Sequence, residues 1–161
     1  MSRPRQVAVI GPSGAELGSE AAQLGEEVGR LLAEAGATLV CGGMGGTMEA
    51  ACRGASQADG EAIGIVPGHE IGEANEFCTH VVATGIGHAR NLAVVSSGDA
   101  VIAIGGEWGT LSEIGFSRAI GRPVIALRSW ELKGRERMED APGVVPAESA
   151  REAVELALGL P

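Results

Sequence analysis

Short apolar runs alternate with helix-length amphipathic stretches along almost the whole chain. The runs are rich in Val, Ile, Ala and Leu, and they lie at residues 7–10, 38–41, 62–66, 81–83, 100–104 and 124–127. The helix-length stretches carry apolar residues at helical spacing, and they lie at residues 19–35, 47–57, 88–97, 110–120 and 149–158. Such alternation is typical of repeated β-α-β units, whose strands form a parallel sheet covered by helices on both faces.

The 161 residues of the chain give room for one hydrophobic core. We therefore predict a single α/β domain over residues 1–161, with the doubly wound parallel sheet of a Rossmann-like fold. Two segments, 68–79 and 130–146, lack a periodic pattern and are predicted to be long loops. Long loops in compact domains are commonly lids or contact surfaces.

The charge and hydropathy of the chain exclude two classes of partner. The net charge is −9 and no cluster of Lys and Arg occurs, which argues against nucleic acid because affinity for its phosphates depends on a basic surface. No run approaches the ~18 apolar residues of a membrane span, so we expect no membrane contact. Residues 1–6 lack the apolar core of a signal peptide. We expect a cytoplasmic protein.

The three cysteines are Cys41, Cys52 and Cys78, an odd number without a C-x-x-C pair. This spacing predicts neither a disulfide framework nor a thiolate metal site, and we expect reduced thiols. Cys41 ends an apolar run, so it is interpreted as a small buried apolar residue rather than a nucleophile. The three histidines show no metal-ligand spacing, and no metal site is predicted.

The pattern G-G-x-x-G-T occurs twice, at residues 42–47 after the second apolar run and at residues 105–110 after the fifth. A third glycine turn, G-P-S-G at residues 11–14, follows the first run. In a parallel sheet the three turns share one edge, where ligands of open α/β folds bind. Glycine allows close backbone approach, and the following helix offers free N–H groups and a partial positive charge. This combination suits a phosphate.

The candidate ligand contacts in these turns are Gly11, Ser13, Gly43, Gly45, Gly46, Thr47, Gly105, Gly106, Gly109 and Thr110. The hydroxyls of Thr47 and Thr110 can either cap a helix or donate to an oxyanion, and both interpretations stay open. The glycines can also serve only to pack helix against strand. The coincidence of three turns at one edge favours ligand binding.

Two charged residues follow strand ends and are candidates for the same site. Arg90 lies near the start of the helix after the fourth strand, where its guanidinium can fork onto a phosphate. The alternative is a solvated surface arginine. Glu113 lies one turn into the helix after the fifth strand, where it can act as a general base or orient a sugar hydroxyl. It can equally be a first-turn charge favoured by the helix dipole.

Common nucleotide and hydrolase motifs are missing from the sequence. There is no G-x-x-x-x-G-K-[ST], which excludes a Walker-type nucleoside triphosphatase, and no G-x-G-x-x-G follows the first apolar run, so ordinary NAD binding is not predicted. No nucleophile elbow of the G-x-S-x-G type occurs either.

Four segments together resemble the LOG-like family, once labelled possible lysine decarboxylases. They are VIGPSG at 9–14, GGMGGTMEAA at 42–51, Arg90-Asn91, and DAVIAIGGEWGTLSEI at 99–114. The family includes cytokinin-activating phosphoribohydrolases, and the pattern is closest to the branch that includes the molybdenum cofactor carrier protein. The resemblance implies a Rossmann-like protein that binds a phosphate-bearing small molecule.

The resemblance also implies roles for single residues. In the phosphoribohydrolases a P-G-G-x-G-T-x-x-E motif and an upstream Arg bind a nucleoside 5′-monophosphate and cleave its N-glycosidic bond. By this resemblance Gly106, Gly109 and Thr110 bind the phosphate, Arg90 assists binding and catalysis, and Glu113 is the acid/base candidate.

The motif departs from that of the hydrolases at four positions. Gly105 replaces Pro, Glu107 replaces the second Gly, Ser112 replaces the first of two Glu, and Asn91 replaces a basic residue. A carboxylate such as that of Glu107 repels a phosphate. We therefore expect a binding or carrier protein for the molybdenum cofactor or a nucleotide such as AMP, with phosphoribohydrolase activity as the alternative.

Two further expectations follow from the sequence. Lysine decarboxylation is excluded, because the single lysine, Lys133, lies in a predicted loop and no motif supplies a Schiff-base lysine for pyridoxal phosphate. The helices after the fourth and fifth strands are apolar enough to pack on a partner, and family members assemble this way. We therefore expect a homodimer or a larger homo-oligomer.

Overall fold

A computed structural model of the chain describes residues 2–130 and 143–159. Within these residues the strands are β1 (Gln6–Ile10), β2 (Thr38–Cys41), β3 (Ala62–Val66), β4 (His80–Ala83), β5 (Ala100–Ile104), β6 (Val124–Leu127) and β7 (Val144–Ala147). They form one sheet in the order β4-β3-β2-β1-β5-β6-β7, and every neighbouring pair is parallel. The order reverses at β1, which confirms the predicted doubly wound, Rossmann-like α/β fold.

Helices cover both faces of this sheet. They are α1 (Glu20–Glu34), α2 (Thr47–Gln57), α3 (Arg90–Ser97), α4 (Trp108–Ala119) and α5 (Ala150–Gly159), with 3₁₀ turns at Ile71–Glu73 and Gly87–Ala89. Helices α1, α2 and α5 share one apolar cluster with one face of the sheet, and α3 and α4 share a second cluster with the other face. Along β1, Val9 belongs to the first cluster and Ala8 to the second, because strand side chains alternate between faces. Within the described residues, no helix combines the length and hydropathy that a bilayer-spanning segment needs.

The predicted helix start at Ser149 has a modified capping arrangement. The Ser149 hydroxyl accepts a hydrogen bond from the Glu152 N–H at 3.2 Å, as a capping box requires. The Glu152 carboxylate, however, accepts from the N–H of Glu148 at 2.7 Å, one residue before the cap. Both bonds satisfy backbone donors at the start of α5.

Strand β7 corrects one sequence prediction. The segment 130–146 was predicted to be loop, yet Val144–Ala147 pairs with β6 as the last strand of the sheet. Pro146 lies inside this strand, which is tolerated because β7 is an edge strand and needs hydrogen bonds on only one side. Residues 131–142 of the same predicted loop lie outside the described residues.

Helices α1 and α2 touch through their backbones at two glycines. A Cβ at Gly54 would lie 1.9 Å from the Glu26 carbonyl oxygen, and a Cβ at Gly29 would lie 1.9 Å from the Ala51 carbonyl oxygen. No real side chain fits at such separations. The contact therefore fixes α2, and with it the glycine turn that leads into α2, against α1.

We predict that Gly54→Ala lowers the free energy of unfolding by about 2 kcal/mol, because the added methyl forces the two helix backbones apart. Gly115→Ala in α4 is the matched control, since a Cβ there meets nothing within 4 Å. That control should raise the free energy of unfolding by about 0.5–1 kcal/mol through the better helix propensity of Ala. Urea denaturation followed by circular dichroism measures both, and equal effects would contradict the close contact.

Candidate functional site

A cavity of about 170 Å³ opens at the carboxyl edge of the sheet, where the strand order reverses. Its wall is formed by the end of β1 and the turn that follows it, and by the first residues of α3 and of α4. The first residue of the turn after β2, Gly42, completes the wall together with Met48. Open α/β sheets bind their ligands at this switch point.

The first turn of α4 presents free backbone donors beside the cavity. Glu107 is the N-cap with extended backbone, its carbonyl accepts from the Leu111 N–H at 2.9 Å, and its side chain makes no capping hydrogen bond. The first N–H groups of a helix have no intrahelical acceptor, and the helix dipole adds partial positive charge. Gly109 and Thr110 lie in this turn and line the cavity. This geometry suits an anion.

Half of the predicted site residues line the cavity: Gly11, Ser13, Arg90, Gly109, Thr110 and Glu113. The others, Gly43, Gly45, Gly46, Thr47, Gly105 and Gly106, lie in the turns outside the cavity wall. Six of the twelve candidate residues thus face the cavity, and the other six lie in the turns beside it.

Gly46 shows how a residue outside the cavity wall shapes the site. Its φ is +66°, and a Cβ there would lie 2.4 Å from the Pro12 carbonyl oxygen. The next residue, Thr47, donates its N–H to the same oxygen at 3.1 Å. Glycine at this position therefore allows the second turn to contact the first, because no L side chain fits this conformation and space.

The side chain of Thr47 is fully buried, and its hydroxyl has no hydrogen-bond partner among the described residues. A Cβ at Gly11 would lie 2.8 Å from the Thr47 Cγ2, so the threonine methyl packs directly against the first turn. Gly105 has a φ of +64°, and Gly106 faces the indole of Trp130. These residues hold the turns in contact with one another.

Arg90 is the first residue of α3, and its partly buried guanidinium lies against the turn after β2. A Cβ at Gly42 would lie 2.7 Å from the Arg90 Nη1, so the glycine leaves the space that the guanidinium occupies. Nη1 donates to the Asn91 Oδ1, whereas the buried Nε has no hydrogen-bond partner within residues 2–130 and 143–159. Burial lowers the pKa of Arg90, opposed by the charges of Glu113 and Cys41, and the group stays charged near neutral pH.

Glu113 supplies a buried carboxyl group to the same cavity. Its exposed fraction is 8%, and burial raises its pKa to about 7, while the charge of Arg90 acts in the opposite direction. No hydrogen bond joins Arg90 to Glu113 in the part of the chain that the structure describes. A carboxyl group with this pKa can accept or donate a proton near neutral pH.

The structure also shows how three of the departures from the hydrolase motif behave. The Ser112 hydroxyl donates to the Gly109 carbonyl of its own helix at 2.7 Å and is exposed. Asn91 hydrogen-bonds the Arg90 guanidinium. Glu107 is exposed and lines the mouth of the cavity, so its carboxylate stands close to the anion site.

Several residues of the site were not predicted from the sequence. Gly42, Met48 and His88 line the cavity. Trp108, the first residue of α4, is 79% exposed, and its ring centroid lies 5.9 Å from that of Trp130. His88 lies two residues before Arg90, and Trp108 lies in the glycine turn at 105–110. Both could therefore have been predicted from their positions next to candidate residues. The role of Gly42 depends on the path of the Arg90 side chain, which the sequence does not show.

The raised pKa of Glu113 predicts a pH-dependent stability. Its pKa is about 7 in the folded chain against an ordinary value of 4.5, so ionisation of the carboxyl group opposes folding. The free energy of unfolding should therefore fall as the pH rises from 4.5 to 7, by about 3 kcal/mol from this group. Glu113→Gln has no ionisable group at this position, so its free energy of unfolding should not show this fall. Urea denaturation of both proteins at pH 4.5 and 7.5 measures the difference, and parallel pH dependences would contradict it.

Comparison with known proteins agrees with this fold. A molybdenum cofactor binding protein from Rippkaea orientalis superposes with a TM-score of 0.84 at 33% identity, over 97% of this chain and 96% of that one. The molybdenum cofactor carrier protein of Chlamydomonas reinhardtii superposes with a TM-score of 0.83 at 27% identity, over 98% of both chains.

A curated relative, an uncharacterised protein of Archaeoglobus fulgidus, is 41% identical over 90 residues, which are 56% of this chain and 59% of that protein. The match thus spans less than two thirds of the relative. The model of the SLOG cluster4 family matches residues 4–154, nearly the whole chain. These findings confirm the resemblance to LOG-like proteins near the molybdenum cofactor carriers, and the chain belongs to the SLOG cluster4 family.

Proposed function

We propose that this protein binds a phosphate-bearing small molecule in the cavity at the carboxyl edge of the sheet and carries it without turnover. One observation carries the proposal: the free N–H groups at the start of α4 and the partly buried guanidinium of Arg90 border the same small cavity. Helix N-termini and arginine both bind phosphate groups in proteins, and here the two border one cavity.

The size of the cavity indicates which part of the ligand it holds. A volume of about 170 Å³ is smaller than the ~300–1,000 Å³ of a site that encloses a whole drug-sized ligand. The cavity therefore takes the phosphate end, and the rest of the ligand lies across the adjacent surface. There the exposed ring of Trp108 offers a face on which a planar heterocycle can stack.

Among the ligands that combine a phosphate with a heterocycle, two classes are candidates here: nucleoside 5′-monophosphates such as AMP, and the pterin of the molybdenum cofactor. The two solved relatives are described as binding or carrying the molybdenum cofactor, and both align over nearly their whole length. The α4 turn and Arg90 fit the phosphate end of that cofactor. We therefore propose the molybdenum cofactor as the first ligand and a nucleotide as the second.

A phosphoribohydrolase is the second candidate function, and Glu113 is the observation that favours it. A buried carboxyl group with a pKa of about 7 can transfer protons at the cavity during cleavage of an N-glycosidic bond. The carboxylate of Glu107 at the mouth of the cavity weighs against it, because it repels the phosphate that would have to be held tightly in the transition state.

Titration with AMP tests both functions in one experiment. We expect saturable binding by calorimetry, no release of adenine, and binding that is about 10- to 150-fold weaker in Arg90→Ala, because a charge-assisted contact is worth ~1.5–3 kcal/mol. Arg151→Ala is the matched control, since this exposed arginine lies on α5, over the other face of the sheet. Glu113→Ala should keep most of the affinity.

Two outcomes would contradict the carrier. Equal affinities of Arg90→Ala and Arg151→Ala would remove the proposed site. Release of adenine at about 1 s⁻¹, abolished by Glu113→Ala while AMP still binds, would establish the hydrolase instead, since acid/base work is worth ~10²- to 10⁴-fold in rate.

We also propose that a second copy of the chain packs on α3 and α4. These helices contact one another and expose Leu92, Phe116 and Ile120, each about two-fifths exposed. An apolar patch of this kind commonly marks an interface in homo-oligomers.

Light scattering at micromolar concentration should give the mass of at least two chains, and Phe116→Glu should reduce it to that of one by placing a charge in the apolar interface. Leu17→Glu, at an exposed apolar residue outside this patch, is the control that should leave the mass unchanged. A single-chain mass for the unmodified protein would rule out the assembly.

A further inference from the structure

All three cysteines of the chain meet at one place, although they are far apart in the sequence. Cys41 ends β2, Cys52 lies in α2, and Cys78 precedes β4. The Sγ atoms of Cys41 and Cys52 are 3.4 Å apart, those of Cys52 and Cys78 are 3.8 Å apart, and all three lie within 4.8 Å of one another. We call these residues the thiol cluster.

We propose that the thiol cluster binds one soft monovalent cation, Cu(I), through three thiolates. A cation in the plane of three sulfurs at about 2.3 Å from each holds the sulfurs about 4.0 Å apart. The two separations of 3.4 and 3.8 Å lie slightly below this value and the third is no more than 4.8 Å, so small side-chain movements suffice to close the site. Packing alone would explain one or two buried cysteines as small apolar residues, but it does not require all three to converge at this distance.

The donor set selects the kind of metal. In the part of the chain that the structure describes, the group of potential ligands consists of sulfur alone. Thiolates favour Cu(I), zinc and iron–sulfur clusters over hard cations. Structural zinc takes four tetrahedral ligands, and a cluster of three thiols lacks the fourth. A three-coordinate Cu(I) is therefore the cation that the cluster fits.

The thiol cluster has a path to solvent and a backbone donor beside it. Cys41 and Cys52 are buried, whereas Cys78 is partly exposed and offers a path for the metal. The Gly43 N–H donates to the Cys41 Sγ at 3.3 Å, which stabilises negative charge on that sulfur. Binding of Cu(I) displaces the S–H protons of the three thiols, which pass to water.

The cluster lies beside the phosphate site but is distinct from it. Cys41 and Cys52 belong to the apolar cluster under α1 and α2, while Arg90 begins α3 on the other face of the sheet. Asn75 links the two regions, because its backbone N–H and its side-chain amide donate to the Gly43 carbonyl at 2.8 and 3.2 Å. A bound cation would cross-link β2, α2 and the segment before β4 next to the second glycine turn.

Anaerobic titration of the reduced full chain with Cu(I) bicinchoninate tests the proposal. We expect the protein to take one equivalent of Cu(I) from this chelator, and X-ray absorption to show three sulfurs at about 2.3 Å. Cys52→Ser should lower the Cu(I) affinity by more than about 100-fold, because even changes outside the ligand shell cost 10–100-fold. Met44→Leu removes the thioether of a partly buried residue in the turn between β2 and α2 and should leave the affinity unchanged.

Cys78→Ser is the second variant, because this partly exposed position tolerates serine even if the buried Cys52→Ser fails to fold by circular dichroism. It should also lose three-sulfur coordination. No transfer from the chelator, a two-sulfur site, or full affinity in Cys78→Ser would overturn the proposal. Tighter binding of Zn(II) with a fourth ligand would overturn the assignment to a monovalent cation.

Discussion

The site depends on the close backbone approach of three turns where the strand order reverses. A Cβ at Gly11 would lie 2.8 Å from both the Ile104 carbonyl oxygen at the end of β5 and the Thr47 Cγ2 at the start of α2. A larger residue at Gly11 or Gly46 would separate the turns and open the cavity. The contact of α1 with α2 at Gly54 also supports this arrangement, since it fixes the helix that follows the second turn.

The cavity is bordered both by groups that attract an anion and by carboxyl groups that repel one. The α4 turn and Arg90 place positive charge at the cavity of a chain whose net charge is −9. Glu113 lies in the same wall but is poised between protonation states, so it opposes a bound phosphate less than a permanently ionised carboxylate would. Glu107 adds a charge at the mouth. This combination of attracting and repelling groups favours reversible binding of a phosphate over the tight binding that catalysis on a phosphate-bearing substrate would need.

The sequence predicted six of the seven described strands, because each of these is a short apolar run and most of them are followed directly by glycine or proline. It placed Arg90 and Glu113 at the cavity because residues that follow parallel strands share an edge. It missed β7, because Pro146 interrupts the run and is acceptable only in an edge strand. It also missed the proximity of Cys52 and Cys78, because that distance depends on how α2 packs beside the segment before β4 and leaves no spacing pattern.

A crystal structure of the protein grown with saturating AMP tests the central claim most directly. The account predicts phosphate oxygens about 3 Å from the N–H groups of Gly109 or Thr110 and from the Arg90 guanidinium, with the base outside the cavity near Trp108. A phosphate bound elsewhere on the chain, with only water between Arg90 and the α4 turn, would contradict it.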